Sequence, residues 1–286
     1  MSDSQPTVRF LLSGPDKPGL VAGVADFIFR RGGDVVHADQ HTDTEVGAFL
    51  QRVEWIPAKG EDRAELRSDT ERLATELGMR LTMRWSDDDR PFAILVSQRP
   101  HCLYDLLARW YSGELPGRLA LVVSNYPEHR AVTESFGVPY QHVPVSETEP
   151  AVQELAVTEL LANEGVELVV LARYMRILSP GFIEQWRHRV INIHHSFLPA
   201  FVGARPYHRA HERGVKLIGA TAHYATEQLD EGPIIEQDVA RVTHRDDVSA
   251  LIHAGRDLET VVLARAVRWH LTDRILVYGN KTVVFT

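Results

Sequence analysis

The sequence predicts an α/β protein in two parts, a small βαββαβ unit followed by a larger domain with a mostly parallel sheet. Up to Trp85, strand-like and helical apolar patterns follow one another in the order βαββαβ. Residues 86–91, SDDDRP, then form a charged, proline-ended link, which is typical of a domain boundary. Beyond this link, short apolar strands alternate with helices, and this pattern indicates a parallel sheet covered on both faces.

The first part, residues 1–85, is predicted from its apolar periodicity. Leu20 to Arg31 predicts a helix because its apolar residues recur on one helical stripe, and Gly32 and Gly33 end it. The βαββαβ order is that of a ferredoxin-like unit. The other predicted elements are strands at 8–12, 34–42, 46–55 and 79–85, and a polar helix at 61–77.

The second part, residues 92–286, alternates strands with helices and closes with two short strands around YGNKTVVF. Ligands of such sheets bind beyond the carboxyl ends of the strands, so the loops after Val96, Val123, Ala172 and Ile193 are candidate sites. The predicted strands are 92–97, 119–124, 140–143, 166–172, 189–194, 216–224 and one from 234. The predicted helices are 102–110, 128–136, 151–163, one beginning in PYHRAHERG, and 246–271.

Composition limits the classes of function. The 286 residues carry a formal net charge of −8, which argues against general nucleic-acid binding because that needs a basic surface. Cys102 is the single cysteine, so no intramolecular disulfide can form and a reducing, cytoplasmic setting is expected. The N-terminal MSDSQPTVRF lacks a signal-peptide pattern, and no apolar stretch approaches the roughly 20 residues of a membrane helix. We therefore expect no nucleic-acid partner and no membrane association.

A candidate site lies in INIHHSFLP, residues 191–199. The segment begins as a strand, and alternate residues of a strand share a face. Asn192 and His194 should therefore point the same way, while His195 points elsewhere or lies in the turn. An amide donor beside an imidazole suits the oxyanion that develops when a carbonyl is attacked.

The histidines of this region raise the alternative of a zinc site. No cysteine or clear carboxylate completes a ligand set around them, so structural or surface roles are favoured and no bound metal is expected. The histidines concerned are His194, His195, His208 and His211.

Asp230 is a candidate for the missing acid or base. It lies in a loop between two predicted strands, just before Glu231-Gly232-Pro233. An aspartate at such a tip can serve as a base or proton shuttle. It can also satisfy its own backbone as an Asx-turn residue, and spacing alone favours this second interpretation.

Other residues have both a structural and a functional interpretation. Ser196 lacks a nucleophile elbow, so bracing a turn is favoured. Cys102 opens a predicted helix, where a thiolate would be stabilised, although a buried small residue is more common. Arg173 and Arg176 follow a buried strand, either in a solvated loop or as an anion contact. The loop Asp16–Gly19 is either a plain turn or the start of a helix that binds a small anion.

Four stretches resemble the formyltetrahydrofolate deformylase family, and the resemblance covers nearly the whole chain. It implies that residues 1–85 are an ACT regulatory and oligomerisation domain, that 86–91 are a linker, and that 92–286 are a Rossmann-like formyltransferase-type catalytic domain. GPDKPGL stands at the usual place in the ACT domain. The four stretches are INIHHSFLPAFVGARPYHRA, ATAHYATEQLDEGPIIEQDV, LARYMRILSP and YGNKTVVF.

The resemblance implies a hydrolase of a linear amide C–N bond, which converts 10-formyltetrahydrofolate to formate and tetrahydrofolate. The product formate would supply purine and one-carbon metabolism, the folate is the substrate, and no cofactor is expected. Catalysis is implied for Asn192, His194 and Asp230, which raises Asp230 from a turn residue to a catalytic one. Substrate binding is implied for Met175, Arg176, Ile177, Leu178, His223 and Gly232.

The ACT resemblance implies an amino-acid effector, methionine or glycine, and a homo-oligomer. Effector binding is expected at Asp16, Pro18, Gly19 and Gly33. One departure from the family pattern is Pro100, which stands where Gly or Ala usually precedes His-Cys. Proline stiffens that loop and removes one backbone donor.

Two alternatives stay open. Folate-dependent formyl transfer to an amine uses the same catalytic residues, but its phosphate-bearing acceptors need a glycine-rich first loop, whereas SQRPHCLYDLL has no glycine. The second alternative is a sensor protein that binds folate without chemistry.

Overall fold

The structure is a computed structural model of the chain. It describes residues 5–145, 150–199 and 206–286. Residues 200–205, which belong to the motif INIHHSFLPAFVGARPYHRA, lie outside the described residues. The chain divides into two compact units.

The first unit is a four-stranded antiparallel sheet with two helices, and it confirms the predicted ferredoxin-like order. The strands are arranged β2-β3-β1-β4, so β1 lies between two antiparallel neighbours. The elements are β1 (Val8–Pro15), α1 (Leu20–Arg30), β2 (Asp34–Asp43), β3 (Ala48–Ile56), α2 (Arg63–Leu77) and β4 (Arg80–Trp85).

The core of the first unit joins alternate strand residues to the apolar stripes of both helices. Trp55 is fully buried, and its ring meets the Phe10 ring edge-on with 5.6 Å between the centroids. Burial of such apolar side chains supplies the main favourable free energy of this unit. The cluster includes Val8, Phe10 and Leu12 of β1, Leu20, Val24 and Ile28 of α1, and Leu66 of α2.

The second unit is built on a seven-stranded sheet in the order β11-β10-β9-β8-β5-β6-β7. The prediction of a mostly parallel sheet is confirmed, because β7, β6, β5, β8 and β9 are parallel neighbours and β10 and β11 are antiparallel. Its strands are β5 (Pro91–Val96), β6 (Arg118–Ser124), β7 (Tyr140–His142), β8 (Leu168–Ala172), β9 (Val190–His194), β10 (Leu217–Tyr224) and β11 (Ile234–Arg241). Its helices are α3 (His101–Tyr111), α4 (Arg130–Ser135), α5 (Pro150–Asn163), α6 (Pro180–Gln185), α7 (Pro206–Arg213) and α8 (Val248–Leu271).

Helix α6 was not predicted, although the sequence holds a signal for it. The Ser179 side chain accepts a hydrogen bond of 3.1 Å from the Phe182 amide, and Pro180 occupies the first turn. A serine cap followed by proline is a common helix start. The helix is only six residues long, too short to show an apolar period.

The chain closes with the hairpin β12 (Ile275–Tyr278) and β13 (Lys281–Val284). Thr272–Thr286 belong to the first compact unit, whose other part ends at Asp88, whereas the second unit is Asp89–Leu271. This division differs from the predicted catalytic domain, 92–286, in that it groups the hairpin with the first unit. Periodicity predicts a hairpin but does not show which sheet it packs against.

A buried arginine fastens this C-terminal segment within the first unit. Arg52 of β3 is 1% exposed, and its Nε donates to the Asp273 carbonyl at 2.8 Å. Its Nη2 donates to the Glu54 carboxylate at 2.7 Å. Burial raises the pKa of Glu54, but the hydrogen bonds from Arg52 and Thr7 outweigh it and lower the pKa to about 2. Among the described helices, none combines the length and the apolarity needed to cross a bilayer.

Replacing Arg52 with alanine should lower the free energy of unfolding by about 1–3 kcal/mol, because the Asp273 carbonyl loses its buried donor and Glu54 keeps only Arg9 and Thr7. Urea denaturation measures this change. The matched control is Arg80→Ala on the exposed side of β4, which should stay within about 0.5 kcal/mol of the parent. Equal losses in the two variants would contradict the anchoring role.

Candidate active site

The candidate site is built on β9 and its antiparallel neighbour β10. The pairing sets His223 opposite Asn192 and Thr221 opposite His194. Asn192 and His194 both line one cavity, which Ile193 and His195 line as well. His195 follows the end of β9 and stacks on His194 with 5.0 Å between the ring centroids.

Four polar side chains meet at this point. The Nδ1 atom of His194 lies 3.0 Å from Oδ1 of Asp230, and Nε2 of His223 lies 3.7 Å from the same oxygen. The Nδ2 atom of Asn192 lies 3.3 Å from Nε2 of His223. The structure thus brings together the three residues predicted to be catalytic, with His223 between Asn192 and Asp230.

The loop after β10 folds back along the sheet to bring Asp230 to His194. β10 ends at Tyr224, whose backbone amide donates to the Pro233 carbonyl at 3.0 Å and so closes the loop. Gly232 makes this closure possible, since a Cβ atom there would lie 1.7 Å from the Tyr224 carbonyl oxygen. Asp230 adopts φ 61°, a left-handed conformation that aspartate tolerates better than most residues.

The electrostatics keep Asp230 ionised. Hydrogen bonds from His194 and then from His223 hold the pKa of the Asp230 carboxyl well below its usual range, although burial acts in the opposite direction. The Oδ1 atom thus accepts from imidazole, and the carboxylate keeps further lone pairs for another donor.

The surrounding groups fix the histidine tautomers. In His223, Nδ1 lies 3.0 Å from the Tyr224 carbonyl, so Nδ1 carries hydrogen. Its Nε2 lies 3.3 Å from Asn192 Nδ2 and 3.7 Å from Asp230 Oδ1, so it accepts from the amide when it lacks hydrogen and donates to the carboxylate when it carries one. In His194, Nδ1 faces the Asp230 carboxylate and therefore donates. The buried Nε2 atom of His194 has no partner among the described residues, which leaves it for a ligand in the cavity.

The cavity has a volume of about 510 Å³ and is lined by Asn192, His194 and Asp230 together with residues of the loop after β8 and of α7 and α8. This size is that of a small-molecule site. Met175 and Leu229 line it while remaining 63% and 59% exposed, so the site offers apolar surface beside its polar groups.

The segment predicted to bind substrate divides between two cavities. Met175 lines the large one, and its amide donates to Ser97 Oγ at 3.0 Å, which fixes the segment against the end of β5. Arg176, Ile177 and Leu178 instead line a small cavity of about 30 Å³. The structure therefore brings Met175 and His223 to the reacting groups, places Gly232 as the loop-closing residue, and leaves the other three beside the site.

Sequence reasoning missed a buried carboxylate in the cavity wall. Glu259 of α8 is 1% exposed and accepts from Tyr207 Oη at 2.8 Å, and its other oxygen lies 2.7 Å from His101 Nε2. Burial raises the pKa of Glu259, but His101 and Arg173 outweigh it, so the pKa is lowered overall. The one sequence signal was a glutamate within an otherwise apolar stripe of α8.

The structure bears on two interpretations raised from the sequence, a zinc site at the histidines and a reactive thiolate at Cys102. In the described part of the chain, the metal-type grouping is His101, Cys102 and Glu259, and none of the four histidines considered from the sequence belongs to it. Burial and then Glu259 raise the pKa of the Cys102 thiol well above its usual value. Cys102 is therefore a buried small residue rather than a thiolate.

The residues expected to bind an effector occupy two places in the first unit. Asp16, Pro18 and Gly19 lie in an exposed loop, where the Asp16 amide donates to the Gly47 carbonyl at 2.8 Å. Gly33 lies beyond the other end of α1, a helix of 11 residues and so about 16 Å long. A Cβ atom on Gly33 would lie 2.4 Å from the Trp55 ring, so this glycine serves packing.

The comparisons with known proteins agree with this fold. Residues 90–267 match the sequence model of a family described as formyl transferase. The larger unit is thus a formyl transferase-type domain.

Full-length relatives narrow the class. The chain is 54% identical to a formyltetrahydrofolate deformylase of Synechocystis sp., over 98% of both chains. It is 46% identical to one of Bacillus subtilis, over 97% of this chain and 93% of that one. A crystal structure of a formyltetrahydrofolate deformylase from Pseudomonas syringae superposes with a TM-score of 0.96 at 44% identity, over 100% and 96% of the chains. The chain belongs to the formyltetrahydrofolate deformylase family.

The ionised Asp230 makes the folded state pH-dependent in a defined direction. Its folded-state pKa lies below the unfolded value, so the stabilisation is present above the unfolded pKa and is lost as pH falls through the folded one. Asp230→Asn should therefore be less stable than the parent by about 1–3 kcal/mol at pH 7. Urea denaturation at a series of pH values should show that the difference in free energy of unfolding between parent and variant does not shrink down to about pH 5. A difference that vanishes near pH 6 would mean that Asp230 is protonated there.

Proposed function

We propose that the protein hydrolyses 10-formyltetrahydrofolate to formate and tetrahydrofolate. The observation that carries this proposal is the ionised Asp230 held 3.0 Å from His194 on the wall of a cavity that Asn192 also lines. These groups offer an acceptor for a proton of water and donors for an oxyanion. The family relationship supports the substrate, because the full-length relatives carry the name formyltetrahydrofolate deformylase.

In the proposed reaction, a water oxygen bonds to the formyl carbon while Asp230 accepts one of the water's protons. Because Oδ1 of Asp230 is engaged by the two histidines, the water uses the remaining lone pairs of the carboxylate. The lowered pKa keeps the resting carboxylate ionised and free to accept, while it makes Asp230 a weaker base than a carboxylate with a pKa near neutral. The proton then passes to the folate nitrogen, the C–N bond breaks, and the formic acid released loses its own proton.

The oxyanion of the tetrahedral intermediate needs hydrogen-bond donors. Asn192 supplies an amide N–H, and His194 supplies its Nε2 when the ring carries both protons. Asp230 lies 3.0 Å from Nδ1 of that ring and orients it. In the proposed reaction the carboxylate takes the water's proton, and His194 and Asn192 face the oxyanion.

The wider setting is also proposed. The released formate would supply purine and one-carbon metabolism in the cytoplasm, without a cofactor. The first unit would act as an ACT-type regulatory domain that binds methionine or glycine through Asp16, Pro18 and Gly19 and joins subunits into a homo-oligomer. Its ferredoxin-like topology supports this assignment.

Formyl transfer to an amine is the less favoured alternative. The loop after β5 has no glycine, and Pro100 occupies the N-cap of α3, where it contributes a carbonyl to Tyr104 but has no N–H to offer a phosphate. An acceptor phosphate would thus lose the backbone cradle that such sites use.

Formate release from 10-formyltetrahydrofolate without any amine tests the proposal. The parent protein should release formate, and Asn192→Ala should lower turnover roughly 10²–10³-fold because one oxyanion donor is lost. Gln141→Ala, which removes an exposed amide from the middle of β7 in the same sheet, serves as the control and should match the parent. Formate release that requires an added amine would favour transfer, and an active Asn192→Ala would remove its assigned role.

Gly232→Ala tests the loop closure. The added methyl overlaps the Tyr224 carbonyl, so the loop must open and carry Asp230 away from His194. We expect a turnover at least about 10²-fold lower, since a misplacement of about 1 Å can cost that much. Gly181→Ala on α6 meets only ordinary contacts and should retain full activity. If both variants keep their activity, the closure does not position Asp230.

A further inference from the structure

Arg173 has a backbone conformation that arginine rarely adopts. It follows β8 directly and has φ 62°, in the left-handed region that favours glycine. The position lies at the carboxyl end of the parallel sheet, where ligands of such folds bind. Strained backbone of this kind clusters at functional sites, so Arg173 is a candidate functional residue.

The guanidinium of Arg173 is buried but incompletely bonded. Its side chain is 10% exposed, and Nε lies 3.5 Å from Oε2 of Glu259. Among the described residues, this buried Nε has no hydrogen-bond partner. A buried donor without an acceptor is costly, so the site suits an acceptor that comes from outside the chain.

Glu259 pairs with the guanidinium through charge, but the 3.5 Å contact does not form a hydrogen bond to Nε, whereas the two oxygens of Glu259 lie at hydrogen-bond distance from His101 and Tyr207. The arrangement is built into the fold. Gly255 lies one turn before Glu259 on α8, and a Cβ atom there would lie 2.1 Å from Tyr207 Oη. The missing side chain is what lets Tyr207 reach the carboxylate.

The cavity joins this guanidinium to the reacting groups, and its lining carries more arginines than carboxylates. Three arginines, Arg99, Arg173 and Arg256, line it against the two carboxylates Asp230 and Glu259. Burial, and then the nearby Arg173, lower the pKa of His195 to about 4, and the His195 ring stacks on His194. The charge of Arg173 thus acts on His195, the ring that stacks on the proposed oxyanion donor His194.

We propose that Arg173 forms the subsite that receives the formate anion. The inference rests on the proposed hydrolysis, which turns a neutral formamide into an anion beside the negative Asp230. A planar guanidinium matches a small planar carboxylate with two parallel N–H donors. Formate therefore moves from the carboxylate that repels it towards the cation that binds it.

Binding of sodium formate to the full-length protein, in the absence of folate, tests the subsite. The broadening of the formate proton NMR signal at constant ionic strength measures this binding. Arg173→Gly should weaken formate binding at least about tenfold, and Arg173→Lys should bind formate more weakly than the parent but more tightly than Arg173→Gly. Glycine suits the left-handed backbone, and thermal unfolding verifies that the variant is folded. An unchanged dissociation constant in folded Arg173→Gly would overturn the proposal.

Arg256→Met is the matched control, because it removes a cation from the same cavity and none of the described contacts of Glu259 involves it. An equal loss in this variant would show a general field rather than a subsite, and would also overturn the proposal. The binding measurement needs no turnover. A parent protein that binds formate through Arg173 yet releases none from the folate would refute the proposed hydrolysis instead.

Discussion

The antiparallel pairing of β9 with β10 is the constraint on which the candidate site depends. It sets His223 opposite Asn192 and starts the loop that carries Asp230. Because Tyr224 pairs near the beginning of β9, the loop must turn back along the sheet to reach His194 at its end. Gly232, the Tyr224–Pro233 hydrogen bond and the left-handed Asp230 each contribute to that return.

Local patterns were sufficient for most of the fold and for half of the site. Strand alternation selected Asn192 and His194 over the adjacent pair of histidines, because the period of a strand is a local property. Asp230 was a candidate from its place in the loop, but spacing favoured a turn role, because the return of the loop to His194 depends on the tertiary fold. The family resemblance raised it to a catalytic candidate.

Glu259 and the closing hairpin also could not be placed from local sequence patterns. A glutamate in a long helix is usually exposed to solvent, and only the tertiary fold shows that Tyr207, His101 and Arg173 surround it. Likewise, the strands after Leu271 were predicted, but their attachment to the first unit depends on Arg52 and the Asp273 carbonyl. The surroundings of Glu259 and the position of the hairpin both depend on contacts between residues far apart in the sequence, which apolar periodicity does not reveal.

The two carboxylates of the cavity differ in their partners. Asp230 lies against two imidazoles, each of which can donate or accept a hydrogen bond, so the proposed reaction assigns the proton transfer to it. Glu259 lies against a phenol, an imidazole and a permanently charged guanidinium, so its charge holds those groups in place. The proposed reaction turns a neutral formamide into an anion, and this difference separates its two ends. Water would be activated at Asp230, and formate would leave towards Arg173, which Glu259 holds in place.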